Sequence, residues 1–307
     1  MTTTTIIILA AIIATIAYTP QTVTTNDKLK VVATFYPLAF FAQEIGGTKI
    51  ALQQLIPDNI EVHDWQPSLA DILELNSADV IIYNGASLDQ WFEDDIIPTI
   101  DSSNKTIIKT SEGVDLLETS QGTSENGHEH ADSYDPHTWV SPYTAKQQAQ
   151  NIYEGLIQKD PANKEYYNEQ WQNLKTRLEN LDNQFMTGLA DKKKTDIFVA
   201  HSAFGYLGHR YGFEQHGIIG ISADEQPSAA AYANLVDLMI KYQIYVVYVN
   251  PVYSDESAQT LRNELERLTD HDVQILRLYV MLGNIDGLDY FGQQEKNLEN
   301  LKIGLEA

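Results

Sequence analysis

The sequence predicts an α/β protein of two lobes, each a mostly parallel four-stranded sheet flanked by helices, joined by one long rigid helix. Three observations predict it. Short apolar runs alternate with amphipathic helical runs from residue 29 onward, the pattern of a parallel sheet covered on both faces. The alternation occurs twice, with four strands answering four strands. Between the two sets lies a helical pattern too long for an ordinary crossover.

The elements follow in order. Residues 6–18, IIILAAIIATIAY, carry no charge, and the first lysine is Lys28. Spanning a bilayer takes about 20 apolar residues, so this shorter run suits the apolar core of a secretory signal. Cleavage near Ala17 and retention as an anchor both fit, and 1–27 is set apart from the fold. In the first half the strands are 30–36 (KVVATFY), 51–56, 80–85 (VIIYNG) and 106–111, and the helices are 37–46, 68–77 and 87–97. Residues 110–136 hold seven acids and no Lys or Arg, which marks a solvated loop. Pro142 then opens a helix to about residue 157, at a position where its missing N–H costs nothing.

Across 163–190, Trp171, Leu174, Leu178, Leu181, Phe185 and Leu189 recur at three- and four-residue steps. No Pro and no Gly before Gly188 interrupts the run. At 1.5 Å per residue such a helix spans about 40 Å, the width of a lobe. In the second half the strands are 197–202 (IFVAHS), 215–221, 245–250 and 274–280, with helices at 203–211, 228–242, 254–268 and 294–305. The expected division is 28–162 for the first lobe, 163–192 for the linker and 193–307 for the second lobe.

Composition narrows the function. The net charge is −23, which argues against a nucleic-acid partner and favours cations or a salty exterior. There is no cysteine, so disulfides, thiolate sites and cysteine-linked lipid anchors are excluded. A metal site must use His, Asp, Glu or water. In parallel sheets, ligands bind beyond the carboxyl ends of the strands. His63 follows the second strand, His137 follows the fourth strand and its acidic loop, and His201 ends the first strand of the second half. Three imidazoles converging there make a Zn²⁺ site with one position left over. Asp64 and Asp135 adjoin two of them and suit the ring N–H groups. His128 and His130, in GHEHAD, form an accessory pair in the acidic loop, while His209, His216 and His271 read as surface or packing residues. Trp65, Trp91 and Trp139 read as core or cleft wall.

The residues 31–47 (VVATFYPLAFFAQEIGG), 63–92 (beginning HDWQPSLAD), 135–142 (DPHTWVSP), 200–213 (AHSAFGYLGHRYGF), 225–239 (EQPSAAAYANLVDLM) and 297–305 carry a resemblance. The chain resembles the zinc/manganese solute-binding proteins of ABC importers over nearly all of 30–305. The resemblance implies two α/β lobes around a metal that is handed to a membrane permease driven by a cytoplasmic ATPase. It carries His63, His137 and His201 over as ligands. His at the third position and a His-rich acidic loop imply the zinc branch, with manganese as the alternative.

The chain departs from the family where a last-strand acid is usual, since Leu278-Tyr279-Val280-Met281 stands there. Asn250 stands where many relatives have Glu. The fourth position therefore falls to water, Tyr279, Glu61 or Glu225. The expected protein is a monomeric extracytoplasmic receptor, periplasmic or at the cell surface, reaching the membrane through its N-terminus or its permease. It is not read as an enzyme. A zinc hydrolase is the rival from another class, because three His plus water is also a catalytic set. Only Glu61 and Asp64 lie near a ligand in sequence to serve as base, and no HExxH motif occurs.

Overall fold

The computed structural model describes residues 28–63, 65–118, 134–221 and 227–307. The first sheet comprises β1 (Leu29–Ala33), β2 (Ile50–Gln54), β3 (Val80–Tyr83) and β4 (Thr106–Lys109), in the order β2-β1-β3-β4. The second comprises β5 (Asp196–His201), β6 (Glu214–Ile219), β7 (Val246–Val249) and β8 (Gln274–Arg277), in the order β6-β5-β7-β8. Every pairing is parallel, and the two orders correspond strand for strand. In both sheets the strand order reverses beside the first strand, which opens a crevice at the carboxyl ends.

Helices α1 (Tyr36–Gly46), α2 (Leu69–Ser77) and α3 (Pro142–Lys159) belong to the first lobe, and α5 (Gly205–Tyr211), α6 (Ala229–Tyr242), α7 (Glu256–Thr269) and α8 (Tyr290–Leu305) follow the connector α4 (Lys164–Gly188). The start of α2 is set by a capping box, in which Ser68 and Asp71 satisfy each other's backbone N–H groups. Ser68 has a counterpart in Ser228, whose hydroxyl accepts from Ala231 N at 3.1 Å and starts α6. Both caps follow a Gln-Pro pair, at 66–67 and 226–227.

Helix α4 buries Tyr167, Trp171, Leu174, Leu178, Leu181 and Phe185, which is the predicted stripe with Tyr167 added and with Leu189, also buried, falling just past the helix end. Burying a large apolar side chain contributes about 1.5–3 kcal/mol, so this one face holds α4 firmly against α1 and α3, and its far end meets α8. The helix is not the only tie between the lobes. Trp139 Nε1 donates to the Val280 carbonyl at 2.7 Å, and the Tyr290 hydroxyl donates to the Trp139 carbonyl at 2.7 Å. Gln294 Nε2 donates to the Val140 carbonyl at 2.7 Å. One buried apolar cluster runs from Val31 through Trp139 to Tyr248 and Leu305.

Three segments differ from expectation. The predicted strand 30–36 ends at Ala33, because Pro37 has no N–H for the ladder and opens α1 instead. Residues 87–97 do not form a regular helix. Ala86 and Ser87 take positive φ angles of 50° and 69°, and Phe92–Ile96 forms one π-helical turn. The buried Asp89 carboxylate accepts from Asn84 N at 2.6 Å and Gly85 N at 3.0 Å, which draws the chain into a turn. The strand predicted over 274–280 ends at Arg277, and Asn297 of α8 then takes a strand's part. Its amide accepts from Tyr279 N at 2.7 Å and donates to the Tyr279 carbonyl at 2.8 Å. No helix of the described residues is long and apolar enough to cross a membrane, and the signal segment 1–27 lies outside them.

With α4 unbroken and a core shared by both lobes, closure about a hinge would tear buried hydrogen bonds and helix turns. Zinc binding is therefore expected to move loops by on the order of 1 Å and to leave the lobes in place. Small-angle scattering of metal-free and metal-bound protein checks this, and a clear compaction on adding metal would contradict it.

Candidate metal centre

His201 is the last residue of β5, paired with Ile219 of β6, so a strand end fixes its backbone. Its ring is 3% exposed as a residue, and Nε2 stands 2.6 Å from the Ile221 carbonyl oxygen. A carbonyl only accepts, so Nε2 carries the proton and Nδ1 holds the lone pair. That Nδ1 is buried and has no hydrogen-bond partner, an arrangement expected of an atom awaiting a ligand.

His137 is reached by a different route. Asp135 N donates to the Leu117 carbonyl at 2.8 Å, the Pro136 carbonyl accepts from Asn84 Nδ2 at 3.0 Å, and the Asp135 carbonyl accepts from the Tyr206 hydroxyl at 2.7 Å. The turn 135–137 is thus clamped by both lobes. Asp135 Oδ1 then accepts from His137 N at 2.9 Å and lies 2.8 Å from His137 Nδ1. The carboxylate holds the proton on Nδ1 and leaves Nε2 for a metal, the role the sequence suggests for Asp135.

His63 lies in the loop after β2. Leu55 and Ile56 still donate to the carbonyls of Ala33 and Thr34, and Asn59 N donates to Leu282 O at 2.8 Å from the other lobe. Glu61 Oε1 accepts from Val62 N at 2.8 Å and His63 N at 3.0 Å, which turns the chain and presents the half-buried His63 ring.

The three predicted histidines meet. Ring centroids are 5.4 Å apart for His63–His137, 5.1 Å for His137–His201 and 6.1 Å for His63–His201. One nitrogen from each falls within 4.8 Å of the other two. Nitrogens bound to one tetrahedral zinc at 2.0–2.1 Å stand about 3.4 Å apart, so small ring rotations close the set.

The electrostatics suit a neutral, nitrogen-rich site. Burial pushes the His201 imidazole down to about 3, and the neighbouring His137 pushes the same way. His201 therefore stays neutral and ready to ligate well into the acid range. Burial alone would raise the pKa of Glu61, but hydrogen bonds from the His63 N–H and the Tyr253 phenol, with the neighbouring imidazoles, outweigh it. Glu61 stays ionised, and its Oε2 is buried without a hydrogen-bond partner.

Of the other candidates, Tyr279 sends its hydroxyl to Asp286 Oδ2 at 2.9 Å. Glu225, Asp64, His128 and His130 lie outside the described residues. Asn250 is buried and accepts from Val252 N at 3.4 Å. The predicted packing residues behave as such in part: His271 stacks on Tyr245 at 4.2 Å, and Trp139 and Trp91 are buried, Trp91 against the half-buried Trp65. Sequence reasoning missed Tyr253, whose ring stands 5.5 Å from His201 and whose phenol is held protonated by burial and by Glu61. It also missed Asn84, whose only sequence signal is its place at the end of β3.

Comparison with known proteins gives the family. Residues 31–304 match the family model described as zinc-uptake complex component A, periplasmic. The chain is 33% identical over 291 residues to the high-affinity zinc uptake system protein ZnuA of Bacillus subtilis, covering 91% of this chain and 88% of that one. It is 30% identical over 284 residues to the zinc-binding lipoprotein AdcA of Streptococcus pneumoniae, of which it spans 56%. The crystal structure of the Zn(II)-bound ZnuA-like domain of Streptococcus pneumoniae AdcA superposes with a TM-score of 0.75 at 27% identity, covering 92% of this chain and all of that domain.

Proposed function

Because this chain belongs to the zinc-uptake complex component A family, we propose that it is an extracytoplasmic high-affinity zinc receptor that delivers the ion to the permease of an ABC importer. The observation that carries the reading is the meeting of His63, His137 and His201, with the ligand atoms of the last two selected by Asp135 and by the Ile221 carbonyl. Residues 28–162 and 193–307 serve as the two lobes and 163–192 as the connector. Each lobe supplies part of the shell, so the bound ion is gripped from both sides. Zinc is cargo here, and its release is the useful step. The fourth position goes to the free Glu61 oxygen or to water. His128 and His130 gather zinc weakly before it enters. The receptor acts as a monomer and is kept outside the cytoplasmic membrane by the N-terminal segment.

An imidazole shell favours Zn²⁺ over Mn²⁺, because Mn²⁺ leans on oxygen ligands and sits lowest in the usual affinity order. Metal analysis of purified protein, followed by competition between the two ions, is the deciding experiment. One tightly held zinc that manganese does not displace is expected. Glu61→Gln in the same assay should weaken zinc by about tenfold if Glu61 ligates. Stoichiometric manganese would overturn the zinc reading. We assign the protein no catalysis. Glu61 has one oxygen committed to two backbone N–H groups, and Asp135 is engaged with His137. Zinc-dependent turnover of an ester or of CO₂ would contradict that assignment.

A further inference from the structure

A second group of metal-ligating side chains lies at the opposite end of the second sheet. Asp196 opens β5 and Glu214 opens β6, and the two are register partners in a parallel ladder. His216 is the next residue of β6 on the same face, because side chains alternate along a strand. One oxygen from each acid and one His216 nitrogen lie within 4.8 Å of one another. Five residue steps along β5 separate Asp196 from His201, about 16 Å of strand, so this group is distinct from the three-imidazole cluster and independent of the function proposed for it.

Three features mark it as built. The side chains of His216 and Asp196 are only 15% and 14% exposed. The His216 ring is stacked on Phe198 with centroids 5.0 Å apart, Nε2 is 2.8 Å from Asp196 Oδ1, and the Thr195 hydroxyl donates to Asp196 Oδ2 at 2.9 Å. Among the described residues, no lysine or arginine is ion-paired with Asp196 or Glu214. Like charges side by side on neighbouring strands repel, and burying one raises the cost. A lone imidazolium relieves one carboxylate. A divalent cation relieves both.

We propose that Asp196, Glu214 and His216 form a second, weaker site for a borderline divalent cation of the zinc type. Imidazole with two carboxylates selects such ions, and water completes the shell at the exposed Glu214 side. The ion takes the place of the proton between His216 Nε2 and Asp196 Oδ1. If His216 is imidazolium, that proton leaves to solvent and Nδ1–H is retained. If His216 is neutral, the proton moves to Nδ1 through solvent. The bound ion ties the start of β6 to the start of β5, the two strands that lead to His201 and to the Ile221 carbonyl.

The test uses the full chain carrying one equivalent of zinc, to which more zinc is added while the ring nitrogens of all histidines are followed by long-range proton–nitrogen NMR. The His216 resonances are expected to shift with a second, saturable equivalent. Glu214→Gln, on an exposed side chain that leaves the strand intact, and Asp196→Asn are each expected to weaken that second equivalent by at least about tenfold. Both should leave the first equivalent unchanged. His216 resonances that stay put while those of His128 and His130 move would overturn the proposal and leave a proton-bridged ion pair. Retention of the second equivalent in both variants would overturn it as well.

Discussion

Replacing His201 with alanine is expected to weaken zinc binding by at least about 100-fold. Structural zinc sites in peptides are worth about 10–16 kcal/mol over four ligands, or roughly 3 kcal/mol per ligand, and each 1.4 kcal/mol is a factor of ten. The same change should have an opposite effect on the acid sensitivity of the metal-free protein. In the folded chain His201 titrates at about 3, against about 6.5 for an unfolded histidine. Between those values the unfolded chain holds a proton that the folded chain does not, so stability present above about pH 6.5 is lost as pH falls towards 3. His201→Ala removes that linkage. The drop in melting temperature of metal-free protein between about pH 7 and pH 5 should therefore be smaller in the variant. Competition against a chromogenic zinc chelator reads the first effect, and calorimetry at the two pH values reads the second. Wild-type affinity in His201→Ala would remove His201 from the shell. An unchanged acid sensitivity would mean that the buried imidazole relaxes and takes up a proton without unfolding.

These two effects share one cause. The burial that keeps His201 neutral also leaves Nδ1 without a hydrogen-bond partner. A surface histidine would carry neither the benefit nor the cost.

The three imidazoles were legible because His201 ends a strand and His63 and His137 lie in the connections that follow one, and strand ends can be found from apolar runs and their breaks. His63, His137 and His201 needed only the topological rule for parallel sheets to be brought to one side. Asp135 was legible for a related reason, since a carboxylate two residues before a ligand has little else within reach. What selects the ligand atom of His201 was not legible. The Ile221 carbonyl does it, and a main-chain carbonyl leaves no mark in the sequence. Tyr253 was missed because it follows the end of β7 by four residues in a turn with no periodicity. The segment 87–97 misled because its helix-forming residues lose to one buried carboxylate. Asp89 collects two N–H groups and fixes positive φ at Ala86 and Ser87 nearby. Tyr279 looked like a stand-in for a missing acid, yet Asn297, eighteen residues away, fixes its backbone, and its hydroxyl serves Asp286. Such a side chain reaching across from α8 has no local signature.

Zinc release is expected to be driven by protons, with no more than two taken up per ion at the three imidazoles. Imidazole binds zinc only when neutral, so every histidine that titrates in the working range lets protons compete with the metal. A ligand histidine at the ordinary 6.5 would weaken binding by about 25-fold between pH 7 and pH 5. Three would give well over a thousandfold. His201 does not take part, because burial holds it at about 3 and it remains metal-ready at pH 5. That leaves at most two imidazoles to take up protons as the ion leaves. The sign is fixed: affinity falls as pH falls, and the slope of log affinity against pH cannot exceed two from these imidazoles above about pH 4. Zinc titrations in a series of buffers at constant ionic strength, with proton uptake measured by calorimetry in buffers of different ionisation heat, give slope and stoichiometry separately. A slope of three would mean that His201 titrates with the others and that its burial does not survive loss of the metal. No slope at all would remove the imidazoles from the shell and leave a site built on carboxylates.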